Sequence, residues 1–451
     1  MAIELSNIAF TNQADVIPAF GVESIVNTGI ANTLAGNDEI TGTGTEYNLI
    51  GEPTGDGTGF YNIGTGFYNI GTLNTADGND IITGIHSPND PYNSIGLDVK
   101  SYGILHEAGT IDTGNGNDII TGISEARIND GSRNNNFGIA IRSNSTLDTG
   151  KGNDIITGKG LDFGILNYGT IHTDDGNDLI AGTSGDRFGS SLHNLGVITT
   201  GDGNDSITGK ATGTARSAVG VFNSDTIDTG NGNDIITGIG IQSGIESYGT
   251  INTGNGDDSI IAETVLDPLL FGYSSIVNKG NINTGNGNDS IIFRGKFSNY
   301  GNVFLGEGND SLIADADLPN PAINNVNTIE IGEGDDIITS SGVIYNNGNI
   351  NTGDGKDSII SDGGFDGSGN MSLGNGQDYL KGFGTGNFNG GNGKDTLELT
   401  SGIYTIGISG TTVNFTKNSI IMNTSEFEKL IAGSTIYNFT SLTAGQTIIV
   451  A

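Results

Sequence analysis

One phrase, Thr110-Ile111-Asp112-Thr113-Gly114-Asn115-Gly116-Asn117-Asp118-Ile119-Ile120-Thr121-Gly122, returns along most of the chain and leaves few folds open to it. It comes back around Asp154, Asp178, Asp205, Asp234, Asp258, Asp289, Asp310, Asp336 and Asp357, with weaker copies at Asp38 and Asp80 and variant copies at Asp378 and Asp395. With that Asp as position zero, Gly stands at −2 in every copy, from Gly36 to Gly393, and Ile or Leu at +2, from Ile40 to Leu397. An apolar residue occupies −7, with Ala31 the smallest, and Asn stands at −11 in nine copies: Asn27, Asn69, Asn167, Asn194, Asn223, Asn278, Asn299, Asn325 and Asn346. A period of this kind marks a unit that cannot bury its apolar face alone and must stack on its neighbours.

The segments on either side of the glycines, such as Thr226-Ile227-Asp228 and Asp234-Ile235-Ile236-Thr237, are short, β-branched and alternating, which predicts strands. The Gly-x-Gly between them allows positive φ and close backbone approach, hence a tight turn. The −11 Asn fits an inward corner where side-chain amides ladder from coil to coil, or alternatively a simple turn residue. The expected fold is all-β: a right-handed parallel β-helix or β-roll solenoid, since crossovers between parallel strands are right-handed. The spacing between copies is 21 residues at Asp289–Asp310, Asp336–Asp357 and Asp357–Asp378 and about 40 near the N-terminus, so the excess should leave the coils as loops. The duplicated Thr-Gly-Phe-Tyr-Asn-Ile-Gly around Phe60 to Gly71 reads as an extra coil. Three regions follow: residues 1–26 as an N-terminal cap, 27–398 as a solenoid of about fourteen repeats, and 399–451 as a C-terminal β cap. Within that cap, strands are expected at Ile403–Ile406, Thr412–Phe415 and Ser419–Met422, and a short helical or turn stretch at Ser425–Leu430.

Charge narrows the function. Acidic residues number 52 against 17 basic, a formal net of −35, and most Asp lies beside Gly. Such a chain is not expected to bind nucleic acid or anionic lipid, and self-repulsion keeps it expanded until cations arrive. With Cys at 0, disulfides and thiolate metal sites are excluded. No stretch approaches the ~18 apolar residues of a membrane span, and Met1 to Phe20 lacks the basic start and apolar run of an ordinary signal peptide.

A Gly-x-Gly-x-Asp turn offers what a hard cation wants. Calcium takes about six to eight oxygens from carboxylates and carbonyls, and the turn supplies inward carbonyls followed by a carboxylate. Stacked turns can close a site between coils, so ion binding and folding should be linked.

The repeat resembles the hemolysin-type calcium-binding (RTX) repeat, Gly-Gly-x-Gly-x-Asp-x-(aliphatic)-x. Gly390-Gly391-Asn392-Gly393-Lys394-Asp395-Thr396-Leu397-Glu398 fits it at every position, and Leu373-Gly374-Asn375-Gly376-Gln377-Asp378-Tyr379-Leu380-Lys381 at all but the first. The resemblance spans residues 34–398. It implies calcium as the cofactor and Asp118, Asp154, Asp205, Asp234, Asp258, Asp289, Asp310, Asp336, Asp357, Asp378 and Asp395 as ligands. Asp38, Asp80 and Asp178 are set aside because Leu34, Ala76 and Asp174 stand where Gly is usual, at −4. Family repeats run in tandem every nine residues and give two ion rows; one turn per longer coil implies one row at most. The tail is similar to the C-termini of bacterial, especially cyanobacterial, RTX proteins exported by type I secretion with an uncleaved C-terminal signal. The implied location is extracellular, at the cell surface.

Other chemistry is less well supported. His86, His106, His172 and His193 never pair at zinc spacing, and a structural role is the expectation. Arg127, Arg133, Arg142, Arg187 and Arg216 fall in variable stretches, where nothing groups them into the basic catalytic site of a polysaccharide lyase. The row at −3 (Asn115, Lys151, Asp175, Asp202, Asn231, Glu307 and Glu333) mixes size and charge, which argues against a flat ice- or mineral-matching face. The expectation is a non-enzymatic, calcium-folded extracellular element of a surface layer, matrix, filament or adhesin. Its partners would be calcium ions and either further copies of itself or a cell-surface glycan. The alternative is a carbohydrate-binding or carbohydrate-modifying β-helix.

Overall fold

A computed structural model of the protein describes residues 2–17, 24–45, 48–51, 60–88, 98–125, 135–185, 189–213, 217–265, 273–314 and 322–451. It is a parallel β-helix. A typical coil contributes three strands to three sheets: a leading strand that ends at −6 or closer to the Asp, a trailing strand that begins just after the Asp, and a third strand that runs into the Asn corner. Two compact units divide the chain, Met1–Ile245 and Glu246–Ala451.

In the first unit, trailing strand Ile119–Ser124 lies parallel between Ile81–His86 and Ile155–Gly160, with Ile120 in register with Ile82 and Ile156. Leading strand Gly109–Asp112 sits between Thr72–Asn74 and Ser145–Asp148, stacking Ile111 on Leu73 and Leu147. Both rows are sealed in the core, because a register slip of one residue would turn every Ile outward. The third strand completes the interior. Strands such as Asp98–His106, Asn135–Ile141 and Phe163–Asn167 stack Ile104, Ile139 and Ile165. These residues, two before the Asn-corner position, are buried as deeply as the other two rows.

At that corner the amides form a ladder. Asn167 Nδ2 donates to Asn194 Oδ1 at 2.8 Å and to the Val197 carbonyl at 3.0 Å, and Asn194 Nδ2 donates to Asn223 Oδ1 at 2.9 Å. His106 takes an Asn place: its Nδ1 accepts from Asn69 Nδ2 at 3.1 Å, its Nε2 donates to the Thr146 carbonyl at 2.9 Å, and burial lowers its pKa. The expected extra coil at Phe60 to Gly71 does not form; Phe60–Asn69 is a single strand, paired antiparallel with Asn48–Gly51. At the start of the chain, Ile3–Glu4 and Val16–Ile17 extend two of the sheets by pairing with Ile25–Asn27 and Glu39–Gly44.

The second unit repeats the plan. Ser290–Arg294 pairs with Ser259–Thr264 and Ser311–Ala314, and Phe297–Asn299 with Ile276–Asn278 and Ile323–Asn325. The ladder runs Asn278, Asn299, Asn325, Asn346. From Asp378 to Asp395 the coil shortens to 17 residues, and of its third strand only a Phe365–Gly384 bridge remains. The cap then switches to antiparallel pairing of Gly402–Ser409 with Thr412–Lys417 and Thr447–Val450. The expected helical or turn stretch at Ser425–Leu430 is a turn and not a helix: residues 426–428 join strands Ile420–Ser425 and Lys429–Ala432, which pair parallel with Gly386–Asn389 and Thr396–Leu399. The cap therefore makes one more coil, whose turn has three residues fewer.

Length varies most at the corner between trailing and third strands. Two residues separate Gly160 from Phe163, whereas 11 separate Thr264 from Ile276. The rows predict a measurable asymmetry. Ile282, fully buried between Ile251 and Val303, should cost about 2–5 kcal/mol on truncation to Ala, whereas Ile261→Ala, at a site 36% exposed, should cost under about 1 kcal/mol. Urea titration of the two variants checks this.

Candidate metal centre

Each Asp corner is built by glycine. At −2, Gly116 has φ 158° and Gly152 φ 147°. A Cβ there would lie 1.4 Å from the Gly78 or Gly116 carbonyl oxygen of the neighbouring coil, a clash no rotamer relieves. The −4 position also takes positive φ; a Cβ there would lie 2.1 Å from the neighbouring carbonyl oxygen at Gly114 and Gly150 and 1.6 Å at Gly285 and Gly306. Leu34 (69°), Ala76 (59°) and Asp174 (54°) adopt the left-handed conformation there despite its strain. Stacking leaves carbonyls at −4 and −2 in columns, each aimed along the axis at the glycine of an adjacent coil.

The carboxylates are not splayed into solvent. Every corner Asp is at most 2% exposed. In the first unit the backbone N–H of Asp38, Asp80, Asp118, Asp154, Asp178 and Asp205 donates to Oδ1 of the following corner's Asp at 2.7–2.8 Å. In the second, Asp258 through Asp378 donate onward in the same way at 2.7–3.0 Å. One residue earlier an exposed relay runs in the opposite sense: Asn117 N–H donates to Asn79 Oδ1 at 2.8 Å, and Asn153 N–H to Asn117 Oδ1 at 2.7 Å. Both turn amides are thus satisfied by side chains from opposite neighbours.

The second carboxylate oxygen is the exception. Oδ2 of Asp38, Asp80, Asp118, Asp154, Asp178 and Asp205 in the first unit, and of Asp289, Asp310, Asp336, Asp357, Asp378 and Asp395 in the second, is sealed from water with no hydrogen-bond partner. An ionised oxygen left so is costly. Burial pushes Asp118, Asp178, Asp310, Asp336 and Asp378 up to about 7, and Asp80, Asp154, Asp234 and Asp395 up to about 6. It raises Asp205, Asp289 and Asp357 as well. The hydroxyl of the Thr five residues earlier works against burial at Asp80, Asp118, Asp154, Asp178, Asp205, Asp234, Asp289 and Asp357, and the accepted backbone N–H does so at each of these.

A column of orphaned carboxylate oxygens beside columns of turn carbonyls is a donor set of the kind a hard cation takes. Among the described residues no three acidic or imidazole side chains converge, so each corner would offer one or two carboxylates, the remaining oxygens coming from backbone and water. All eleven Asp singled out above occupy such a column in one unit or the other. Asp38, Asp80 and Asp178, set aside above, share its burial and hydrogen bonding because a left-handed non-glycine at −4 preserves the turn. Glu428 was missed: its Oε2 accepts the Asp395 N–H at 2.8 Å, taking the role of an Asp in the shortened cap coil. Its signal was the Leu430 two residues on, the same +2 rule as every corner. Asp15 N–H closes the other end onto Asp38 Oδ1 at 2.8 Å.

The remaining candidates do not gather. His193 stacks on Phe222 with centroids 4.4 Å apart, and burial lowers its pKa to about 4. Arg142 pairs with Glu107 at 3.3 Å and donates to the Tyr102 hydroxyl at 3.2 Å. Arg127, Arg133, Arg187 and Arg216 lie outside the described residues.

No family model and no curated protein matches the chain. A solved structure is similar. It is a hyperactive, Ca2+-dependent, beta-helical antifreeze protein from an Antarctic bacterium, 18% identical over 96% of this chain and 96% of that one, with a TM-score of 0.31.

Two predictions follow from the carboxylate column. In the folded chain without cations, each raised carboxyl keeps its proton where the unfolded chain, near 3.8, has lost it. Cation-free stability should therefore fall as pH climbs from about 4 through about 7, as thermal melts in chelator across that range would show. Asp310→Asn can keep the Oδ1 acceptor and removes the charge. It should stabilise the cation-free protein at pH 7.5 by about 1–3 kcal/mol and change it little at pH 3.5, where the carboxyl is mostly protonated in both states; a simple turn-capping Asp would give no such gain.

Proposed function

We propose that this chain is a calcium-binding β-solenoid whose folding the ion drives, and that it serves as an extracellular structural or adhesive element. The observation that carries the reading is the column of buried carboxylate oxygens without partners. A net charge of −35 supports it, since a chain so acidic gains most from cations taken up along its length. The fit of Gly390–Glu398 to the RTX repeat supports calcium over other hard cations. Calcium would supply charge neutralisation and fill the oxygen shell that the protein leaves open.

The chain's own residues divide the work. Glycines at −2 let neighbouring coils approach, and the Asp Oδ1 atoms tie each corner to the next. Oδ2 and the carbonyls at −4 and −2 would hold the ion. Binding would displace protons from the raised carboxyls, so affinity should rise steeply between pH 5 and 8. Low calcium inside a cell would keep the chain loose enough for export of the type I kind, and high calcium outside would fold it. This reading assigns the chain no catalysis.

Far-UV circular dichroism in chelator and then in calcium tests the reading. A gain of β signal on adding calcium, with calorimetry counting several ions per chain, is the expected result; equal β signal in both states would sink it.

A further inference from the structure

The outer face of the leading-strand sheet carries a row of asparagine at −8 that ends in a cleft. Asn349, Asn370 and Asn387 stand in register, and Asn423 of cap strand Ile420–Ser425 continues the row. Their amides are chained: Asn370 Nδ2 donates to Asn349 Oδ1 and Asn387 Nδ2 to Asn370 Oδ1, each at 3.2 Å, and Asn423 Nδ2 to Asn387 Oδ1 at 3.1 Å. Asn370 and Asn387 each spend one N–H and one lone pair along the row and keep one of each for a visitor. Where the cap begins, Thr412 borders this row and the adjoining Ser372 and Asn389, giving a half-open cleft of about 510 Å3. That size lies within the ~300–1,000 Å3 of small-molecule sites. The Asn389 Oδ1 is shut off from water and has no partner.

The lining defines what could enter. It holds no charged side chain, in a protein with 52 acidic residues, so neither a cation nor an anion has a counter-charge there. A peptide would need an open strand edge or apolar pockets. The floor strands Asn370–Ser372 and Gly386–Asn389 are paired on both sides, and their apolar side chains, Met371 and Phe388, are turned into the core at 3% and 1% exposure. What remains is a surface of neutral donors and acceptors repeating every ~4.8 Å, which suits a ligand whose groups both donate and accept, as hydroxyls do. We propose that this cleft binds a neutral saccharide.

The cleft goes beyond the cation reading and shares no residue with the Asp column, so the two fail separately: calcium uptake is read by circular dichroism, sugar binding by the following titration. The full chain, held in calcium, is titrated with cellotetraose, maltotetraose and mannotetraose, and with tetragalacturonate as the charged comparator, by ligand-observed NMR. At least one neutral tetrasaccharide should bind with a millimolar or tighter Kd, and tetragalacturonate at least about tenfold more weakly. Asn387→Leu should weaken the neutral sugar about tenfold or more with the circular dichroism unchanged. Asn281→Leu, in the same row but outside the cleft, should leave binding intact. If Asn387→Leu does not fold, Thr412→Val at the rim carries the test with the same expected direction. Failure of all three neutral sugars to bind, equal binding of tetragalacturonate, or full binding by the cleft variant that folds would overturn the proposal.

Discussion

Everything in this molecule depends on how closely one glycine corner can lie against the next. A side chain at −2 would occupy the space of a neighbouring carbonyl oxygen, as the 1.4 Å separation at Gly116 and Gly152 shows. That contact keeps the corners directly above one another, and the strands on either side inherit their register from it. With the register fixed, Ile stacks on Ile at +2 and −7, and a chain only 34% apolar builds a continuous interior. The coil is thin, so few side chains per repeat suffice.

The corners also carry two hydrogen-bond relays that run in opposite directions through adjacent amides. The outer one uses neutral Asn in most coils and is exposed. The inner one uses Asp and is buried, and only the inner one leaves an oxygen unsatisfied. An Asn at position zero could accept the same N–H without burying a charge. The presence of Asp where Asn would serve is the clearest sign that the inner relay does more than hold the turn. Buried like charges repeated from coil to coil raise one another's pKa, as at Asp118 between Asp80 and Asp154, so their cost accumulates along the column until something cancels it.

The repeat made the two strands beside the Asp readable from sequence, because their apolar positions lie at fixed distances from it. The third strand was not recognised, although Ile165, Leu192 and Val221 each stand two residues before a corner Asn. Variable insertions separate that strand from the Asp, so counting from the Asp alone loses it. Leu34, Ala76 and Asp174 misled in another way. Gly is usual at −4, yet at these three corners the backbone holds a side chain in the left-handed conformation, and burial elsewhere in the coil offsets the strain. The duplicated stretch near Phe60 looked like a coil because it copies a strand, but a strand without its Asp corner cannot turn. In the cap, Glu428 was hidden because the turn before it is three residues shorter and lacks glycine.

Two of the three corners keep nearly the same length from coil to coil, since amide ladders run through most of them. The third, after the trailing strand, spans 2 residues in one coil and 11 in another while the strands on both sides stay in step. That junction is mechanically decoupled from the stack. Segments of foreign sequence could be grafted there, one per coil, and displayed in a line at the sheet repeat without disturbing the ladders that hold the spiral.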